Sequence, residues 1–467
     1  MRTLISGGTV VNASGPFAAD VLVEDETIVA MCARDSTTGA SWAQSAERVI
    51  DASGQLVIPG GIDGHTHMEM PFGGTQSADT FETGTRAAAF GGTTTIVDFA
   101  IQQKGASLRA GLDAWHAKAE GNCAIDYGFH MIVSDVNAQS LDEMDLLVDE
   151  GVTSFKLFMA YPGVFYSTDG EILQAMQRAS MNGSTIMMHA ENGIAIDVLV
   201  AQALARGEGD PRFHGATRPA ILEGEATHRA IQLARVAGAP LYIVHLSASE
   251  ALNEVVVARD RGQSVFAETC PQYLFLSESD MAREDFEGSK YVCSPPLRPE
   301  SYQSDLWRGL RTDDLSIVST DHCPFCFKDQ KELGRGNFSK IPNGLPGVEH
   351  RMDLIFEGVD RGEISLARWV DVTSTTPARM FGLFPQKGVI APGSDADIVI
   401  YDPNGTHTLS AATHHMNVDY SAYEGLQVKG CVRTVLARGT VVVENDSYVG
   451  RPGSGRFVRR GLNGYLR

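Results

Sequence analysis

Five apolar runs in this 467-residue chain end on, or enclose, a side chain able to hold a metal or move a proton. The first finishes Gly61-Ile62-Asp63-Gly64-His65-Thr66-His67. The others carry Lys156 inside Ser154–Phe158, His189 after Met187-Met188, His245 after Val244, and Asp321 after Ser319-Thr320. Histidines two apart on an extended segment project to the same side, so His65 and His67 can converge on one ion. A lone His-x-His, or one histidine closing an apolar strand, is more often a hydrogen-bonded core residue. Four imidazoles and a carboxylate recurring together at strand ends outweigh that bland account. Neutral nitrogens with one carboxylate suit zinc or its borderline neighbours, not calcium or magnesium.

Lys156 is the odd member, flanked by Phe155, Leu157 and Phe158. An ammonium there is costly to bury and cannot ligate a cation. Two states answer the cost. One is an ion pair with a buried carboxylate. The other is an amine that loses its proton, adds carbon dioxide and becomes a carbamate, N6-carboxylysine. Such a group offers two oxygens that could bridge metals about 3.5–4 Å apart.

The elements that must position these residues alternate along most of the chain. Strand candidates are Leu56–Ile62, Thr93–Phe99, Ile125–Val133, Ser154–Phe158, Thr185–Met188, Leu241–Val244, Ser264–Thr269 and Leu315–Ser319. Helical spacing fills the gaps at Asp79–Phe90, Leu108–Ala119, Leu141–Glu150, Glu171–Met181, Glu225–Val236, Ala248–Arg261 and Tyr302–Leu310. A glycine follows six of these helices, at Gly91, Gly121, Gly151, Gly183, Gly238 and Gly262, where a left-handed cap is expected. Eight strand–helix units predict an α/β fold, a (β/α)8 TIM barrel, with chemistry at the C-terminal ends of its strands.

The chain ends have a different texture. Short strands joined by Gly, Asn and Asp turns, with no helix between them, fill Met1–Ala52 and return in Asp397–Tyr401, Val432–Leu436 and Thr440–Val443. We expect them to pair into one small β-sandwich. The domains are then 1–53 and 385–446 for the two parts of the sandwich, 54–384 for the catalytic barrel, and 447–467 for an Arg-rich tail. That tail holds Arg451, Arg456, Arg459, Arg460 and Arg467 and no acidic residue, and would be either solvated or docked on a neighbouring subunit.

Composition sets bounds. A chain that is 43% hydrophobic and 21% charged builds an ordinary globular core. Lys+Arg 38 against Asp+Glu 58, a net charge of −20, argues against nucleic acid or anionic membrane as partners. Seven scattered cysteines suit a reducing cytoplasm and not a disulfide framework. Cys323-Pro324-Phe325-Cys326 has redox or zinc spacing but lacks a second such pair. The chain has no G-x-S-x-G elbow, no G-x-x-x-x-G-K loop and no H-E-x-x-H helix, which disfavours serine hydrolases, nucleotide hydrolases and zincins.

With these residues laid out, the sequence resembles the dihydropyrimidinase and D-hydantoinase family of cyclic amidohydrolases over nearly its whole length. The likeness runs through Gly61–His67, Ala88–Asp98, Ser154–Tyr161, His189–Asn192, Tyr242–Ser247, Glu268–Leu274, Ser294–Arg298, Asp321–Pro324 and Ile341–Gly347, and on to Pro385–Asp397, Thr413–Gly425 and the tail. The resemblance implies two divalent ions, zinc or manganese. His65, His67 and Asp321 would hold one and His189 and His245 the other, with carboxylated Lys156 and a hydroxide bridging them. It implies that Asp321 acts as general base and then general acid, that the phenol of Tyr161 faces the scissile carbonyl, and that backbone groups at Ser294 and Asn343 hold the ring's ureide edge. The expected reaction opens 5,6-dihydropyrimidines or 5-substituted hydantoins to N-carbamoyl amino acids, in a homotetramer. Met68, Phe158 and Phe165 would form a lid over the exocyclic group, or else pack as ordinary core. Three neighbouring activities compete. A dihydroorotase would need a cation where Glu69 stands, an allantoinase shares all the ligands, and a non-catalytic scaffold of the family would lack them.

Overall fold

Eight buried runs carry the hydrophobic density of the chain's middle, and in the computed structural model, which describes residues 1–466, they form one parallel sheet. We label them β1 (Gly61–Thr66), β2 (Thr93–Ile101), β3 (Asp126–Ile132), β4 (Ser154–Phe158), β5 (Thr185–His189), β6 (Leu241–Ile243), β7 (Val265–Thr269) and β8 (Ile317–Val318). Each pairs with the next in sequence, and a bridge between Thr66 and His322 brings the first beside the last. Every strand residue except Phe266 is buried, as a sheet covered on both faces requires. The protein is a (β/α)8 barrel carrying a sheet built from both chain ends.

The helices between strands start on short polar caps. Thr80, Ser107, Asn137 and Thr168 each accept a hydrogen bond from a backbone N–H in the first turn, which meets donors the helix itself cannot satisfy. Gly183 ends its helix at φ 77°, where a side chain would be strained. Gly91 departs from expectation: its φ is −77°, and Gly92 takes the left-handed turn at 78°. Sequence periodicity missed the helices Gly193–Ala205 and Arg351–Asp360. The first is apolar nearly all round, and the second buries Arg351 and Asp353 among its core residues.

The terminal segments pair across the whole length of the chain. Leu56–Pro59, part of the strand expected over Leu56–Ile62, leaves the barrel and pairs antiparallel with Ile398–Tyr401, and the break falls at Pro59-Gly60. Gly15–Glu24 serves two layers: its first half pairs with Thr9–Asn12, its second with Arg2–Ser6 and Thr27–Ala33. Ile5, Val10, Val21, Val57, Ile398, Ile400 and Leu436 fill a core of their own between the layers. The N-terminal segment is not free of helix as expected. Thr37–Ser45 is helical, started by Ser36, whose hydroxyl accepts from the Gly39 N–H.

The Arg-rich tail runs back across the barrel of its own chain. Val458 N–H donates to Tyr127 O at 2.7 Å and Gly461 N–H to Gly382 O at 2.9 Å. Arg460 is buried and donates to Phe129 O and Ser154 Oγ, and Arg456 pairs with Glu26. Arg467 lies outside the described residues. No helix among those described is long and apolar enough to cross a membrane.

Lys387 ties the sandwich to the barrel. Its buried ammonium lies 2.7 Å from Asp126 on β3, 2.6 Å from Asp397 and 3.0 Å from Asp395, and these carboxylates hold its pKa above the usual lysine value despite burial. Lys387→Met strands these charges, so chemical denaturation should show a loss of about 3–5 kcal/mol. A change below about 1 kcal/mol, the range of exposed pairs, would show the cluster to be slack.

Candidate functional site

The strand ends deliver their polar residues to one spot. Asp321 Oδ1 lies 3.2 Å from His65 Nε2 and 3.1 Å from His67 Nε2, and Lys156 Nζ lies 3.0 Å from His65 Nε2. These donor atoms of His65, His67 and Asp321 fall within 4.8 Å of one another, close enough to share an ion. Across the same space, the His189 and His245 rings sit 4.5 Å apart, and the His65 and His245 rings 5.3 Å. All six residues are buried. His67 Nδ1 and His245 Nδ1 are buried with no hydrogen-bond partner.

Burial decides the protonation states. It pushes His65 and His245 well below the usual histidine range, helped by Lys156 beside His65 and by His189 beside His245. Their imidazoles are neutral, the form that binds metal. Burial likewise lowers the Lys156 amine, whose Nζ lies 4.2 Å from the centre of the Phe99 ring. It raises the Tyr161 phenol, which therefore stays protonated as a donor.

Backbone strain gathers in the same place. Tyr161 (φ 58°), His245 (φ 39°), Asp321 (φ 51°) and Glu69 (φ 52°) all occupy the left-handed region that non-glycine residues avoid. Each sits just past a strand end, where regular pairing has stopped and the chain can turn a side chain inward.

One cavity unites these groups. Its wall includes His67, Lys156, His189, His245 and Asp321 on one side and Tyr161, Ser294 and Asn343 on another, with Asn343 Nδ2 donating to Ser294 Oγ at 3.0 Å. Phe158 and Phe165 line it and stack on each other at 5.0 Å. Met68 does not: it is fully buried against Gly84, its N–H held by Asp98, and Met70 and Phe72 stand in the wall instead.

This geometry can be set beside known proteins. An Amidohydrolase family model matches residues 56–442. A D-hydantoinase of Streptomyces coelicolor is 69% identical over 465 residues, covering 100% of this chain and 99% of that one. The chain belongs to the D-hydantoinase and dihydropyrimidinase family of amidohydrolases. A D-hydantoinase of Geobacillus stearothermophilus is 48% identical, covering 100% of this chain and 98% of that one. Among solved structures, a dihydropyrimidinase from Brevibacillus agri superposes with a TM-score of 0.96 at 51% identity, covering 99% of each chain. An L-hydantoinase from Arthrobacter aurescens gives 0.88 at 31% identity, covering 98% of this chain and 99% of that one.

Several residues of this amidohydrolase site escaped sequence reasoning. Glu268 on β7 is fully buried, meets His65 Nδ1, and accepts from the His245 N–H at 3.1 Å and the Tyr242 hydroxyl at 2.8 Å. Asp63 accepts from Thr320 N–H and Oγ1, fixing the turn before Asp321. Glu191 lies 2.7 Å from His189 Nε2. The signal was a carboxylate in a buried strand, or two residues after a histidine. His322, next to Asp321, turns away to Asp79 and to the N–H groups of Gly347 and Val348.

Glu268→Gln keeps the shape but exchanges one acceptor for a donor. It should raise the dissociation constant for added zinc about 10–100-fold while the fold persists, read by competition with a chelator. Unchanged affinity would mean that Glu268 does not orient His65.

Proposed function

We propose that the protein opens cyclic ureides, 5-monosubstituted hydantoins or 5,6-dihydropyrimidines, to N-carbamoyl amino acids, using a pair of divalent metal ions. The observation that carries this reading is the convergence of His65, His67, Asp321, His189, His245 and Lys156 at one end of a family barrel, beside the cavity that Tyr161, Ser294 and Asn343 also line.

The residues fit two ions. Buried imidazoles, those of His65 and His245 held neutral by burial and those of His67 and His245 with an unpartnered nitrogen, and a carboxylate form a zinc- or manganese-type donor set. Lys156 fits as well, in carboxylated form. An ammonium 3.0 Å from His65 Nε2 would repel a cation, whereas the carbamate replaces a donor with two ligating oxygens. When bound, the ions supply positive charge that acidifies the attacking water and polarises the scissile carbonyl.

The chain's own groups do the rest. Asp321 accepts a proton from that water and passes it to the departing ring nitrogen, as general base and then general acid. The Tyr161 phenol donates a hydrogen bond to the oxyanion that forms on the carbonyl, worth about 10²–10³-fold in rate. Ser294 and Asn343 present backbone groups to the ureide edge. Phe158 and Phe165 cover the exocyclic substituent.

The direct test compares kcat/KM for a 5-monosubstituted hydantoin and for 5,6-dihydrouracil, with enzyme prepared in zinc and bicarbonate. We expect both rings to open, the hydantoin better, in line with the names of the relatives. If neither opens with two metals bound, the substrate class is wrong and allantoin is the next ring to try. Chelation should abolish turnover, and zinc without bicarbonate should restore it only partly if Lys156 needs carbon dioxide; full recovery in carbon-dioxide-free buffer would remove the carbamate. Phe158→Ala should change the ratio of rates between bulky and unsubstituted rings, and an equal fall in both would end the lid assignment.

A further inference from the structure

Lys331 is fully buried, yet among the described residues no carboxylate is paired with it. Its three N–H donors go to three backbone carbonyls: Val292 at 2.9 Å, Pro342 at 2.8 Å and Gly344 at 2.8 Å. Burial pushes its pKa down to about 7. Three acceptors and no donor face it, so the cage fits the ammonium form. A buried charge without a counterion is expensive, and core filling would be met by leucine or methionine.

What the cage holds is informative. Val292 lies two residues before Ser294, and Pro342 and Gly344 flank Asn343. Gly344 N–H donates to Val292 O at 3.0 Å, and Asn343 Nδ2 to Ser294 Oγ at 3.0 Å, so the two segments are stitched to each other as well as to the lysine. Ser294 and Asn343 line the cavity, and Lys331 stands behind them. In a trans peptide the C=O and N–H point opposite ways. With the Pro342 carbonyl drawn to Lys331, the Asn343 N–H points away from it, and among the described residues it has no partner within the chain. A cation on the carbonyl end of a peptide also polarises that peptide, which strengthens the donor at its other end.

We propose that Lys331 is a positioning residue for ring recognition: it aims and polarises the Asn343 N–H at the non-scissile carbonyl of the ureide. This rests on the ring-opening reading above. It predicts that Lys331 acts on one atom of the substrate, which a purely structural lysine would not do.

The test uses the metal-loaded enzyme and two rings, a 5-substituted hydantoin and its 2-thio analogue, in which the non-scissile oxygen becomes sulfur, a weak acceptor. Lys331→Met leaves three buried carbonyls unpaired, so Lys331→Gln, which keeps two donors, and Lys331→Arg, which keeps the charge, are measured beside it. In the Gln variant, kcat/KM for the oxo ring should fall about 30–100-fold, the scale of a mis-set binding group, and that for the thio ring less than about 5-fold. Where the thio ring turns over too slowly, its inhibition constant serves in place of its rate. The Arg variant should recover most of the oxo-to-thio ratio. An equal loss on both rings, no loss on either, or failure of all three variants to fold would each overturn the proposal. These results are separable from failure of the underlying reading, because then the wild-type protein itself would open neither hydantoin nor dihydrouracil.

Discussion

Burial of polar groups is the constraint that organises this molecule. Eight parallel strands bring their C-terminal ends together at one mouth of the barrel, and six polar or charged residues are lodged there beside Phe99 and Phe158. Each polar atom not reserved for a ligand must then find a partner inside the protein. The rest of the site reads as the answer. Glu268 meets His65 and the His245 backbone, Glu191 meets His189, and Asp63 pins Thr320 ahead of Asp321. Asp98 accepts from Thr66, from the Met68 N–H and from the Trp115 indole, holding the segment that carries His67. These carboxylates fix imidazole orientation and tautomer, and so decide which nitrogen faces the cavity.

The same constraint explains where the strain sits. A regular strand ends with its side chains alternating in and out of the barrel, which would aim no more than half of its terminal residues inward. Tyr161, His245 and Asp321 turn inward by taking up left-handed backbone conformations, each costing of order 1–3 kcal/mol. The surroundings over-determine those conformations. His245 is held through its own N–H by Glu268, and the turn into Asp321 by the Asp63–Thr320 contacts. Rigid supports and strained backbone are parts of one device.

The barrel, and the six polar residues that meet at its mouth, were legible because their signals are local. Apolar runs, capped helices and a polar residue closing each run can all be read within a dozen residues. What escaped was long-range or conditional. Glu268 looks like any strand glutamate until β7 is laid beside β6, and Lys331 looks like a surface lysine in a polar stretch. The helix Thr37–Ser45 hides in a segment whose strand signals dominate, and only the Ser36 cap betrays it. For Met68 the sequence left lid and core both open; residues adjacent in an extended chain face opposite ways, so an inward His67 sends Met68 into the core. For the tail, composition left a solvated and a docked arrangement open; within the chain Arg459 and Arg460 reach backbone carbonyls and Arg456 pairs with Glu26, which composition could not disclose.

On the proposed reading, the cavity divides the labour of recognition by chemical kind. The invariant part of a cyclic ureide is its edge of N–H and C=O groups, and backbone at Ser294 and Asn343 faces it. The variable part is the ring substituent, and side chains face it: Phe158, Phe165, Phe72 and Met70. Backbone donors keep their hydrogen-bonding pattern whatever side chain is substituted, so ring recognition persists while the apolar wall is reshaped. A hydrophobic wall discriminates weakly, by about 1–3 kcal/mol per methylene, whereas a missing hydrogen-bond partner on the edge leaves a buried polar group unpaired and costs far more. Such a site should be strict about the ureide and tolerant about its substituent, and changes confined to four apolar side chains could shift the preferred substituent with the metal ligands and Lys331 left as they are.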